Sequence, residues 1–435
     1  MAEDEQNFNN LDNYYLESVT PCYKKKAFII TFILTLTILI AAGVFALYFF
    51  VLTKCEIGDE EKCLTCNKRK CGSCNIGYKL SNGKCVLDYS IKAEYFSNAM
   101  GQTKLIFERF IYQVTEIIVD GEKKELSVYY YFNTSGIHKV YFKMDISNIT
   151  SLAYLFAGIT NMTQIYISPL FNTQNITSME RLLSGCSKLS SMDLSHLNTE
   201  NVLNMNSMFS GMHSMKSFDI TKFNLKNLQD MSQMFMYCLN LTFVNLSNLH
   251  LDNVRDMHSL FSYSSSLTSV DFTNFKVPNL TIFDRAFEKC SSLRTVDLSS
   301  FKTPNLEDMA FTFQDCISLI SIDLSNFIAS KKVNLFGMFS NWNSLSYVNL
   351  RNFEAEVNER NQIFNDCPNI TYIDISSFWS NDTRVELFNS LPSKGEIIIN
   401  SNFKSKIEDQ IPEGWTINEN WFVNNIFNYI IIIYI

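Results

Sequence analysis

Apolar residues recur through the middle of this chain at an interval of 26 residues, anchored on Leu189, Met215, Leu241, Leu267, Leu293, Leu319 and Leu345. A self-similar period of this length marks a solenoid, in which each repeat stacks on the next. With the anchor counted as zero, apolar side chains stand at plus three (Met192, Phe218, Val244, Val270, Val296, Ile322, Val348) and plus five (Leu194, Ile220, Leu246, Phe272, Leu298, Leu324, Leu350). This alternation predicts a strand with one buried face. Plus sixteen is apolar (Met205, Met231, Met257, Phe283, Met309, Leu335), and plus twenty is Phe in six successive units, Phe209 to Phe339. With plus nineteen these positions form an i, i+3, i+4 stripe, which predicts a short helix.

The fold class predicted is therefore an α/β repeat solenoid resembling a leucine-rich repeat, with a strand and a short helix in each coil. Looser units anchored on Ile137, Met162 and Ile370 extend it over residues 137–400, about ten coils in all. A single coil buries too few side chains to offset the entropy of ordering it, so its stability has to come from its neighbours.

The flanks differ in composition. Residues 27–53 carry no charge, which is long enough to cross a bilayer and predicts a transmembrane signal anchor. A cleaved signal peptide would have a shorter apolar region nearer the amino terminus. Lys24, Lys25 and Lys26 precede the stretch and Lys54 alone follows it, which assigns residues 1–26 to a cytosolic tail and the remainder to the outside or a secretory lumen. Residues 54–88 hold Cys55, Cys63, Cys66, Cys71, Cys74 and Cys85, a density expected of a disulfide module in an oxidising compartment. Zinc is the rival reading, but the interval from Cys66 to Cys71 is short for a zinc ribbon. Strand-like runs around Asp120-Gly121 predict a β-rich cap over residues 89–136. Residues 401–435 are expected to form a C-terminal cap or tail, ending in the apolar run IFNYIIIIYI.

A net charge of −8 and the lack of a concentrated Lys or Arg face argue against nucleic acid as the main partner. The five histidines share no repeat column, and no phosphate loop, nucleophile elbow or metal motif is present. The expectation is a protein that is not an enzyme and takes no cofactor or metal. The plus-four column (Asp193, Asp219, Asn245, Asp271, Asp297, Asp323, Asn349), continued by Asp374, falls on the exposed face of the predicted strands. It is the candidate partner-binding face, set against a role as solvated or hydrogen-bonded structural positions. Cys186, Cys238, Cys290, Cys316 and Cys367 share one column and are expected to be free buried thiols, although Cys290 and Cys316 lie in neighbouring coils and could cross-link. Candidate N-glycosylation acceptors are Asn133, Asn148, Asn161, Asn175, Asn240, Asn279, Asn369 and Asn381, while Asn245 meets the same pattern inside a strand.

The run CSSLRTVDLSSFKTPNLEDMAFTF followed by QDCISLISIDLSNF resembles the BspA-type leucine-rich-repeat surface proteins of bacteria and unicellular eukaryotes. The cysteine segment resembles, more loosely, furin-like and EGF-like modules. The resemblance implies a right-handed solenoid displayed at the cell surface, acting in adhesion. The function expected is that of a single-pass plasma-membrane protein whose ectodomain binds protein or glycan partners. The alternatives are a surface-coat protein that self-associates and a resident of an internal secretory membrane.

Overall fold

The computed structural model describes residues 63–419, except 68–69, 75–76, 82–83, 99–100, 326, 328–331 and 358–360. The predicted cytosolic tail, the uncharged stretch 27–53, Cys55 and the run 426–435 lie outside the described residues. Among those described, no helix is long and apolar enough to cross a membrane.

Two small hairpins come first: β1 (Cys63–Asn67) with β2 (Lys70–Cys74), and β3 (Tyr78–Ser81) with β4 (Lys84–Leu87). A disulfide joins Cys74 to Cys85, a loop of 11 residues. The cap follows as β5 (Ile91–Asn98), β6 (Gly101–Lys104), β7 (Val114–Val119), β8 (Glu122–Lys124), β9 (Tyr129–Phe132) and β10 (Ser135–Met144). Ile137, read from sequence as a coil anchor, lies in β10, which pairs antiparallel with both β5 and β7, and is 50% exposed. The cap joins the array through β11 (Met162–Ile167), antiparallel to β5 on one side and parallel to β12 (Ser191–Asp193) on the other. The first coil thus grows from a ready-made sheet edge.

From there come β13 (Ser217–Asp219), β14 (Phe243–Asn245) and β15 (Ser269–Asp271), paired in parallel as one sheet, and β16 (Ser321–Asp323) and β17 (Tyr347–Asn349), which begin another; the coil between them, at residues 295–297, follows the same path without a regular strand. After the two-residue β18 (Ala355–Glu356) come β19 (Tyr372–Ile375), β20 (Phe378–Trp379), β21 (Gly395–Ile399) and β22 (Trp415–Glu419). The array continues past residue 400, because β22 pairs in parallel with β21. There Gly395 faces Trp415, so the last coil has contracted to 20 residues and no longer shows the 26-residue period.

The predicted helix in each coil is not formed. The fold is a mostly-β solenoid and not an α/β leucine-rich repeat; among the described residues the α-helix is the single turn Ser401–Lys404. The hydrogen bonds give the reason. In the coil holding Met205, the amides of Met205, Ser207, Phe209 and Gly211 donate to Asp230, Ser232, Met234 and Met236 of the next coil, while those of Met208 and Ser210 donate three residues back. Half the donors of a helix are therefore spent on a ladder between coils. The path needs left-handed residues at plus eighteen (Ser207, Gln233, Ser259, Arg285, Phe311, Gly337) and plus twenty-two (Gly211, Tyr237, Tyr263, Lys289, Asp315, Asn341), all with φ between 52° and 72°. The apolar stripe still points inward: Met205, Met208 and Phe209 are fully buried.

Gly337 is the position where this conformation and close packing coincide. At φ 60° an added Cβ would lie 2.7 Å from the Phe311 ring. Gly337→Ala is expected to cost about 1–2 kcal/mol, measured by urea unfolding against the parent chain.

Two aromatic columns run through the core. Phe209, Phe235, Phe261, Phe287, Phe313, Phe339, Phe364 and Phe388 stack with ring centroids 5.3 to 6.0 Å apart. Phe275, Phe301, Phe327 and Phe353 form a parallel stack.

Candidate functional site

The acidic column has a structural task in every coil. Asp193, Asp219, Asp271, Asp297 and Asp323 each accept, through Oδ1, the backbone N–H two residues on, at 2.8 to 3.0 Å. Asn245, Asn349 and Asp374 do the same. These are Asx turns, which end each short strand and turn the chain toward the plus-eight position. Asp193, Asp219, Asp297 and Asp323 are exposed and Asp271 is half-buried, but Asp374 is only 3% exposed and does not join the open face. Asparagine interrupts the carboxylates where strands pair: Asn245 stands between Asp219 and Asp271, and Asn349 between Asp323 and Asp374. The Asn349 amide donates to Asp323 Oδ2 at 3.1 Å. Asp297→Ala is expected to cost about 0.5–1.5 kcal/mol and Asp297→Asn far less, by thermal unfolding, because the amide oxygen keeps the turn.

The five repeat cysteines are free and buried. Each donates its thiol to a Phe carbonyl of the preceding coil, at 3.0 to 3.2 Å in Cys186, Cys238, Cys290, Cys316 and Cys367. For Cys186 that carbonyl belongs to Phe156. Ser264 fills the same column and makes the same bond to Phe235 at 2.7 Å. The position thus selects a small side chain with a donor. Burial pushes the thiols of Cys186, Cys238 and Cys367 up to about 12 and raises those of Cys290 and Cys316 as well. Iodoacetamide at pH 8 is expected to label none of these five in the native chain and all five in denaturant, read by peptide mass spectrometry. In the cysteine module, Cys63, Cys66 and Cys71 lie on β1 and β2, and their side chains fall outside the described residues.

One constellation was missed because its members are not neighbours in sequence. His258 and Asp284 lie exactly one period apart, and Nδ1 of His258 meets Oδ1 of Asp284 at 2.7 Å. Arg285 Nη1 donates to the other carboxylate oxygen at 2.9 Å, and Ser259 Oγ lies 3.2 Å from His258 Nε2. The hydrogen bond to Asp284 holds the imidazole above its ordinary range. Ser259 is buried at 2% exposure. Its counterpart Ser207 bonds Asn206 in the same geometry, so the Ser–His contact belongs to the repeat.

A second column emerges on the flank between the two ladders. Asn148, Asn175, Asn201, Asn227, Asn253, Asn279 and Asn305 follow one another at intervals of 26 or 27 residues. The amides of Asn201, Asn227, Asn253 and Asn279 donate to Gln174, Glu200, Lys226 and Asp252 carbonyls of the coil before, at 2.7 to 2.8 Å. At the first two rungs, Asn148 and Asn175, no such bond is made among the described residues. There the surface dips into a shallow, open groove of about 610 Å³, lined by four asparagine rungs, Gln174, Ser147, Thr150, Thr177, Ile149 and Leu203. None of these side chains is ionisable.

The sequons sort by the same geometry. Asn133, Asn148, Asn175, Asn240, Asn279, Asn369 and Asn381 are exposed, and Asn161 is half-buried. Asn240 and Asn369 each donate to a carbonyl of the preceding coil at 2.7 Å.

The architecture defines a parallel β-solenoid whose coils are tied by backbone ladders, an asparagine column and stacked phenylalanines. The chain belongs to the family described as "Mycoplasma protein of unknown function, DUF285", whose profile matches residues 127–242, 229–353 and 262–378, together more than half of the chain. Curated proteins that resemble it over a short stretch are the BMP/retinoic acid-inducible neural-specific protein 3 of mouse and of human, each 40% identical over 45 residues. That stretch is 10% of this chain and 6% of those proteins.

Proposed function

We propose that this chain is a surface-displayed recognition protein, held at a membrane through its uncharged amino-proximal stretch, whose solenoid binds protein or glycan partners outside the cell. The observation that carries this reading is the neutral groove, where polar side chains from successive coils converge and the amides of Asn148 and Asn175 make, among the described residues, none of the bonds that the later rungs make. Elsewhere the polar columns are consumed by the fold, in Asx turns within a coil and in asparagine rungs between coils. A disulfide at Cys74–Cys85 suits an oxidising compartment. The resemblance of the repeat to BspA-type surface proteins supports adhesion as the biological setting.

The test is an epitope at the carboxy terminus, labelled by antibody on intact and on permeabilised cells, followed by binding of the purified full chain to host or neighbouring cells. Labelling of intact cells, with binding reduced at least tenfold by Leu203→Lys in the groove, is the expected result. Labelling only after permeabilisation overturns surface display, and binding indifferent to Leu203→Lys removes the groove from the binding site.

A further inference from the structure

The geometry points to a neutral oligosaccharide as the ligand of the groove at the first rungs of the asparagine column, an assignment that rests on the groove being the recognition site proposed above. A sugar ring presents hydroxyls that both donate and accept, together with an apolar C–H face. The lining offers matching groups. The amides of Asn148 and Asn175 each carry two donors and an acceptor, the Thr150 hydroxyl adds both roles, the Thr177 hydroxyl, which donates to the Thr150 carbonyl, adds an acceptor, and Ile149 and Leu203 supply apolar contact. Leu203 is 39% exposed and offers its apolar face at the surface.

Charge and spacing favour a neutral sugar over the competing ligands. With no ionisable side chain in the lining, a sialylated or sulfated glycan would gain no charge-assisted hydrogen bond there. An extended peptide lying along the solenoid axis offers equivalent backbone groups every second residue, roughly 6.6–6.8 Å apart, whereas the rungs repeat at about 4.8 Å, so it does not match successive rungs in register. Sugars carry hydroxyls on every ring and impose no such register. Four rungs extend the site over about 15 Å, the length of a short oligosaccharide.

The contrast along the column is the second support. Asn201 and Asn227 spend one amide hydrogen on the preceding coil and keep Oδ1. Asn148 and Asn175 are unspent, so replacing them removes ligand contacts without removing a bond that holds the solenoid.

The experiment uses the full chain, purified from cells in which N-glycosylation is blocked, since Asn148 and Asn175 are themselves sequons. It is applied to an array of neutral oligosaccharides (mannose, galactose and N-acetylglucosamine oligomers), their sialylated and sulfated counterparts, and neutral extended peptides. Binding to at least one neutral oligosaccharide, lowered tenfold or more in an Asn148→Ala/Asn175→Ala variant whose melting temperature is unchanged, is the expected result. Asn253→Ala, at a rung outside the groove, should leave that binding intact. Preference for the anionic sugars or the peptides, no binding to any neutral sugar, or binding unaffected by the double substitution overturns the assignment. Because the readout is made on purified chain, it is separate from display: sugar binding by a chain that never reaches the surface would sink the surface reading and leave the ligand class standing.

Discussion

Phe287→Ala is expected to lower the stability of the solenoid by about 3–5 kcal/mol, more than any other substitution considered. The ring is fully buried and stacks between Phe261 at 5.3 Å and Phe313 at 5.4 Å, with Phe272 and Phe283 edge-on to it. Truncation therefore opens a cavity whose walls belong to three coils, each pinned by its own ladder bonds and unable to close the gap. Phe287→Leu restores part of the volume and is expected to recover roughly half of the loss. At the margin of the same column, Phe388 is only partly buried, so Phe388→Ala should cost less. Urea unfolding of the three variants checks the order. In a quasi-one-dimensional array the damage should also be local, with amide exchange accelerating most in the coils on either side of residue 287. Equal losses at Phe287 and Phe388 would mean that the stack does not organise the core.

That column was legible in the sequence because Phe recurs at one spacing and burial follows side-chain periodicity. The backbone path between those side chains was not. A stripe at plus sixteen, nineteen and twenty is what a helix would bury, and the structure buries the same residues on a chain that alternates turns with left-handed residues. The clue lay in the polar positions. Asn204, Asp230, Asp256 and Asp308 at plus fifteen each accept the backbone N–H two residues on, and Ser, Asn and Asp compete with helix formation for that reason. Those residues bridge coil to coil in a second parallel ladder. The acidic column at plus four was legible as a column, but its hydrogen bonds depend on the backbone two residues later and had to be seen. The groove was less legible still. It exists where Asn148 and Asn175 stop donating to the coil behind them, and period alone makes every rung look alike.

The His258–Asp284 pair shows how far a repeat can hide an interaction, and it carries the second large effect expected. Asp284→Ala should cost about 1.5–3 kcal/mol, because the carboxylate is nearly buried and accepts from both His258 and Arg285. Arg285 is 40% exposed, so most of the loss is assigned to the imidazole. The charged groups facing His258 are Asp284 and Asp256, which favour its protonated form, and Arg285, which opposes it. Its pKa is raised in the folded chain, with the Asp284 hydrogen bond as the largest cause. The stabilisation is therefore complete below the unfolded value, roughly 6.5, and is lost as pH rises through the folded value. Asp256 is also raised, chiefly by burial, which makes the low-pH side more favourable in the same sense, but its window lies at the acidic end. The melting temperature should thus fall as pH is raised through the range above the unfolded value of roughly 6.5. Asp284→Asn keeps an acceptor and removes the charge, so its melting temperature should lose that slope. A parent chain with a flat profile across this range, or an Asp284→Asn chain with an undiminished slope, would show that the imidazole stays neutral against Asp284.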